Sequence, residues 1–194
     1  MLLPGSMEIA NIGNYRATED WWFLLPSILL VDVAIIFLVR FMPNFFGKPI
    51  NDWYDEFGLA AVMSDVAIIA IGIAITRYIY STFFMEKEGW SILNFTAIAV
   101  GVQLVHDLLF AKFIVEPIPK GHNSMIDVFK SYVKAGPIIL LTDAIMIAGS
   151  IGIAAVLKMK DFHYTNSVSL VTAYALSYIL FTNTSFTQTK SLTK

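Results

Sequence analysis

The chain has 194 residues, of which 57% are hydrophobic and only 14% charged, and its formal net charge is -2. Soluble domains carry about 25% charged residues, so composition argues against a water-exposed globular class, and so small a net charge offers no electrostatic footprint for nucleic acid. The absence of cysteine excludes disulfide frameworks, thiolate metal sites and cysteine nucleophiles.

In chain order, residues 1–20 form an N-terminal segment with no basic stretch leading into an apolar run, so the first span is expected to act as its own insertion signal. A helix needs about 20 mostly apolar residues to cross roughly 30 Å of hydrocarbon. Trp21–Met42 is the first such stretch, with Pro26 in its first turns, where the lost N–H matters least. Phe57–Phe84 and Trp90–Glu116 are the second and third. Trp21, Trp22, Trp53 and Trp90 stand at or just before these helix starts and are expected at headgroup level. Pro43, Pro49, Pro117, Pro119 and Pro137 mark the connections. In the last of these, Met125, Ile126, Val128, Phe129, Tyr132 and Val133 repeat at helical spacing, Asp127 lies early, and Lys130 and Lys134 lie late. This predicts a short amphipathic helix over 124–135, lying in the interface as a loop anchor, with Gly136-Pro137 as its stop. Ile138–Lys158 is the fourth span. Val168–Phe181 is shorter and carries Ser169, Thr172 and Ser177; it is read as a fifth span, with a re-entrant or interfacial helix as the alternative. A polar tail, 185–194, follows. The expected fold is an all-α polytopic membrane bundle: one membrane-embedded domain over 21–184, four to five transmembrane helices and one interfacial helix.

With the N-terminus non-cytoplasmic, the cytoplasmic connections collect Arg40, Lys48, Lys120, Lys130, Lys134, Lys190 and Lys194, against Arg16, Lys87, Lys158 and Lys160 on the other side. That bias favours an N-out orientation.

Each of the first four spans carries an aspartate: Asp32, Asp65, Asp107 and Asp143. An aspartate at a helix centre costs about 2.5–3.5 kcal/mol on insertion scales, so all four need partners or a purpose. Counted inward from the face bearing the first and third connections, their depths are roughly 15, 12, 14 and 9 Å at about 1.5 Å per residue. One carboxylate layer is therefore expected, with Gln103 and His106 beside Asp107, and with Arg40 and Lys112 near the same face and long enough to reach it. Arg77 lies in the other half of its helix and is expected to snorkel away. Val31-Asp32-Val33-Ala34-Ile35-Ile36 echoes Ser64-Asp65-Val66-Ala67-Ile68-Ile69, each with an arginine at its helix's far end. Two readings compete. In the leading one, the aspartates pair with Arg40, Lys112, His106 and hydroxyls and fix helix register. In the other, the layer binds a cation or relays protons.

Small residues supply packing surfaces, for a compact bundle or for association with other membrane proteins: Ala144, Ala148, Gly152 and Ala155 in span four, and Ala67, Ala70 and Ala74 with Gly72 in span two. No P-loop, dinucleotide turn, HExxH or GxSxG appears, and neither an enzyme nor a cofactor is expected. A metal site is not expected either, because the aspartates and His106 make a thin ligand set, with His122 and His163 in loops.

The stretch Trp53-Tyr54-Asp55-Glu56-Phe57-Gly58-Leu59-Ala60-Ala61-Val62, running through Ser64-Asp65-Val66 to Arg77-Tyr78, resembles a segment of uncharacterised multi-span membrane proteins of large nucleocytoplasmic DNA viruses. The resemblance covers residues 53–78 and implies a viral internal membrane, or a virion component under the capsid. The expected function is a membrane scaffold or assembly protein, which the resemblance would make a viral one, whose partners are the bilayer, other membrane or capsid proteins or further copies of itself. The alternative is a proton or cation channel or transporter.

Overall fold

The computed structural model describes the backbone of residues 9–135 and 137–184, and the side chains of all these except 132–135, 137 and 138. Among them every regular element is helical. The expected polar tail at 185–194 and the Gly136 stop lie outside the described residues.

A single 3-10 turn, Thr18–Asp20, leads into α1 (Trp21–Phe41), a run without Gly that carries its one proline in the second turn. A short α2 (Pro43–Phe46) follows, then α3 (Lys48–Phe57), which starts on Pro49 in its first turn. Gly58, at φ 50° and ψ -123°, ends α3 and lets the chain turn back into α4 (Leu59–Phe83). A one-turn α5 (Met85–Glu88) precedes α6 (Ile92–Phe110), whose Ser91 cap accepts from the Asn94 N–H at 3.3 Å. At its far end α6 widens into a π-helical turn, Ala111–Val115, where the Glu116 N–H donates to the Ala111 carbonyl at 2.9 Å. Then come α7 (Ser124–Ala135), α8 (Pro137–Lys158) and α9 (Phe162–Leu180).

Four segments are long and apolar enough to cross a membrane: Thr18–Phe41, Leu59–Phe83, Ile92–Val115 and Ile139–Lys158. The protein is a multi-pass helical membrane bundle. α1 packs against α4, α8 and α9, and α6 packs against α4 and α8. α9 begins six residues before the expected start because Asp161 caps it, accepting from the Tyr164 N–H at 2.7 Å. It lies along α1, burying Thr165, Thr172, Leu176 and Leu180.

Two amphipathic helices close one end of the bundle. α7 occupies the expected 124–135, but it packs on α3. Phe129 sits against Trp53 at 4.9 Å and Phe110 at 5.5 Å between ring centroids. Trp53 is therefore no headgroup anchor: it is 1% exposed, in the middle of α3. The small residues of span two divide between the two faces of their helix. Ala67 and Ala74 face outward, while the buried face of α4 runs through Ala61, Val62, Ile69, Gly72, Ile73 and Thr76. In α8, Ala155 is buried and Ala144, Ala148 and Gly152 are half-buried. The tight approach comes at Gly149, whose absent Cβ would stand 3.4 Å from Val31 Cγ2, whereas Gly152 faces open space.

At the opposite end, the irregular segment 9–17 lies on the bundle with Ile12 wholly buried. Arg77, buried to 1% exposure, does not snorkel to water. Its Nη2 donates to the carbonyls of Asn14 and Ala17 (the latter at 2.7 Å) and to Asp20 Oδ2 at 3.1 Å. Lys158 Nζ reaches Asp20 Oδ1 at 2.5 Å and the Asn11 carbonyl at 2.6 Å.

Candidate functional site: an intramembrane carboxylate cavity

Three of the four expected aspartates meet. A cavity of about 240 Å³ is lined by Ser64, Asp65 and Ile68 of α4, by Asp107, Leu108 and Phe110 of α6 with the adjoining π turn, by Phe129 of α7, and by Ile139, Leu140 and Asp143 of α8. The helices set this up simply. α4 and α8 run antiparallel to α6 and start near the face at which it ends, so carboxylates early in the first two and late in the third share a depth. The π turn widens α6 beside Asp107, and its Ala111 and Val115 form part of the wall.

Asp65 is held by the helix before its own. Trp53 Nε1 donates to both its oxygens, at 3.2 and 3.0 Å, and the Tyr54 hydroxyl donates to Oδ2 at 3.0 Å. This is possible only because Gly58 folds α3 back along α4. Asp107 is held within its own helix. Gln103 Nε2 donates to Oδ1 at 2.8 Å, and His106 Nδ1 lies 3.2 Å from the same oxygen. Gln103 is itself seated by Gly72: a Cβ there would meet Gln103 Oε1 at 2.8 Å. Asp107 Oδ2 is buried without a hydrogen-bond partner among the described residues. Asp143 lies within electrostatic reach of both Asp107 and Asp65.

Asp32 does not line the cavity. It is wholly buried behind Asp65, and neither of its oxygens accepts a well-formed hydrogen bond among the described residues. Its polar neighbours are Asp65 and the Tyr54 hydroxyl.

The two expected cationic partners go elsewhere. Arg40 Nη1 pairs with Asp55 at 2.6 Å and its Nη2 caps the Leu180 carbonyl at 2.8 Å, tying together the ends of α1, α3 and α9. Lys112 turns outward to Glu116, four residues on, at 2.9 Å, and is exposed. Neither arginine of the sequence echo therefore serves the layer: Arg40 and Arg77 end at opposite faces of the bundle. Among the described side chains, none that lines the cavity is basic.

The sequence missed Trp53 and Tyr54 as donors and Phe129 as a wall. The visible signal was the close spacing of the aromatic pair before Asp65, within a stretch that reads as a connection. Among the described residues, no set of three or more His, Asp or Glu is arranged to hold a metal ion.

Comparison with known proteins finds no matching family model, no matching curated protein and no matching solved structure.

Proposed function

We propose that this membrane protein takes up a proton or small cation in the Asp65–Asp107–Asp143 cavity, as one station of conduction or exchange across the bilayer. The observation that carries this reading is the cavity itself: three carboxylates from three helices, facing shared space, with no basic residue among the described lining. Carboxylates kept only to fix helix register pair with cations or bury their oxygens in close contacts, because an unpaired charge in a low-dielectric interior is costly. Arg40 and Lys112 would have been those cations, and both are engaged elsewhere. Among the described residues the carboxylates do not converge as a metal ligand set, and single carboxyls suit a proton. Each carboxyl can hold or release one proton, Ser64 lines the cavity, and the Tyr54 hydroxyl donates to Asp65.

The test is flux. Purified protein in liposomes carrying a pH-sensitive dye, under an imposed gradient, should dissipate it. Asp65→Asn and Asp107→Asn should each slow that by about tenfold or more while the protein stays folded. Wild-type liposomes no leakier than empty ones, or Asn variants that conduct like wild type, would overturn the reading.

A scaffold role is the second reading. Ala67 and Ala74 face outward beside exposed Met63, Ile71 and Ile75, a small-residue surface of the kind that lets a neighbouring membrane helix approach. The viral resemblance of residues 53–78 would set such an assembly in a viral internal membrane, with capsid or membrane proteins or further copies as partners. Loss of association in bilayers on Ala67→Leu and Ala74→Leu, with no proton flux in the wild type, would favour it.

A further inference from the structure

The bundle has a second polar layer, and the register of three helices ties it to the first. In α1 and the turn before it, Asp20, Leu24, Ile28 and Asp32 follow at intervals of four. In α4, Asp65, Ile69, Ile73 and Arg77 do the same. In α8, Asp143, Ile147 and Ile151 begin a run that ends near Lys158. Steps of four lie along one side of a helix, so each helix presents an acid at one level, a charged group at the other, and aliphatic side chains between. Leu24, Ile28, Ile69, Ile73, Ile147 and Ile151 are all wholly buried in one continuous core. The twelve residues from Asp65 to Arg77 span about 18 Å. A proton or ion leaving the carboxylate cavity toward the N-terminal face meets this largely aliphatic layer. There the buried hydroxyls of Ser27, Thr76 and Ser150 donate to carbonyls of their own helices. A hydrophobic constriction shuts a pore to charge.

Opening such a layer means parting α1, α4 and α8, and one ion cluster ties those three helices together. Asp20 enters α1, Arg77 comes from α4 and Lys158 from α8; both cations converge on the one carboxylate. The same two cations cap backbone carbonyls of Asn11, Asn14 and Ala17, drawing the segment 9–20 across that end. Ser81 and Trp90 add bonds to the carbonyls of Gly13 and Ile9, at 2.8 and 3.0 Å. The segment has no regular structure before Thr18. The carbonyls of Asn14 and Ala17 also accept from the Ala17 and Asp20 N–H groups within local turns, so the side chains add to turns already made there. The Lys158 side chain is 28% exposed, so this member of the cluster reaches water and can exchange its partners for it.

We infer that the Asp20–Arg77–Lys158 cluster is a latch that holds the N-terminal segment over the bundle and keeps the aliphatic layer closed on that side. The inference rests on the proton or cation reading for its purpose, but its geometry can be tested without any flux.

The chain has no cysteine, so a single introduced thiol reports cleanly. Ser27 is wholly buried at the level of the aliphatic layer, and Ser27→Cys is nearly isosteric. In liposomes, a membrane-impermeant maleimide added on the side bearing the N-terminal segment should leave Ser27→Cys unlabelled. Adding Lys158→Met, which leaves Asp20 paired with Arg77, should speed labelling at least about tenfold, the change given by 1.4 kcal/mol in an opening equilibrium. Lys158→Arg should restore protection, which separates loss of the latch from loss of the fold. Labelling of Ser27→Cys alone at the rate of an exposed thiol, or unchanged protection with Lys158→Met, would overturn the latch. Faster labelling with no proton flux in any variant would sink the conduction reading and leave the latch standing. Flux with unchanged protection would do the reverse.

Discussion

Asp65 shows how a carboxylate is kept inside a membrane without a cation. Its bonds come from an indole N–H and a phenol, both from α3 and neither able to carry a positive charge. Trp53→Phe keeps the ring and removes the N–H, so it should cost about 1–3 kcal/mol, read as a lower thermal midpoint in detergent. Gly72 and Gly152 make a matched pair. A methyl at Gly72 would press on Gln103 Oε1 at 2.8 Å and Ile147 Cδ1 at 3.3 Å, displacing the amide that holds Asp107. Gly72→Ala should destabilise by about 1–3 kcal/mol. Gly152→Ala meets open space and should be neutral or stabilising by up to about 1 kcal/mol through helix propensity. The existence of the four aspartates, and the Gln103–Asp107 pair, were legible in the sequence, because spans and steps of four are local patterns. The fates of Arg40 and Lys112 were not. A long side chain near a helix end can reach in several directions, and only the neighbours it finds, Asp55 for one and Glu116 for the other, decide which.

Among the elements, α7 was readable to the residue and α3 was not seen at all. α7 has its apolar residues at clean helical spacing. In α3, Ile50, Trp53 and Tyr54 are interleaved with Asn51, Asp52 and Asp55, and Pro49 reads as a connection although it sits in the helix's first turn. What places α3 is tertiary. Gly58 turns it onto α4, and Arg40 clamps it to α1 and α9. Gly58→Ala forces a side chain into a glycine conformation and should cost about 1–3 kcal/mol. Arg40→Met breaks a nearly buried pair and should cost about 3–5 kcal/mol. Removing the exposed Lys48–Asp52 pair by Lys48→Ala should cost less than about 1 kcal/mol. Chemical or thermal unfolding of the three variants side by side checks the ordering.

For the molecule as a whole, the four spans and the all-helical class followed from composition and run length, but the division into two polar layers did not. It depends on Asp20, which precedes the first apolar run and reads as part of a loop, and on Lys158, which reads as the close of the fourth span. Neither residue carries a local sign of burial, yet Asp20 is wholly buried. Deleting residues 1–17 would strip Arg77 and Lys158 of their backbone acceptors while sparing every span. We expect the thermal midpoint to fall by roughly 5 °C, on the scale of one or two stranded buried donors.

The back-folding of α3 onto α4 also bears on how the chain is built into a membrane. Asp65 finds both its donors only 11 and 12 residues upstream, and Asp107 finds its amide donor four residues upstream. Arg77 finds its acceptors in a segment synthesised before it. As α4 and then α6 leave the insertion machinery, much of their polar cargo is already wrapped, and neither helix need wait in lipid for a distant partner. Arg40 is the exception: its second acceptor, the Leu180 carbonyl, lies 140 residues downstream. That bond can form only once α9 has been made, which makes Arg40 the residue that registers the arrival of α9 beside α1 and α3.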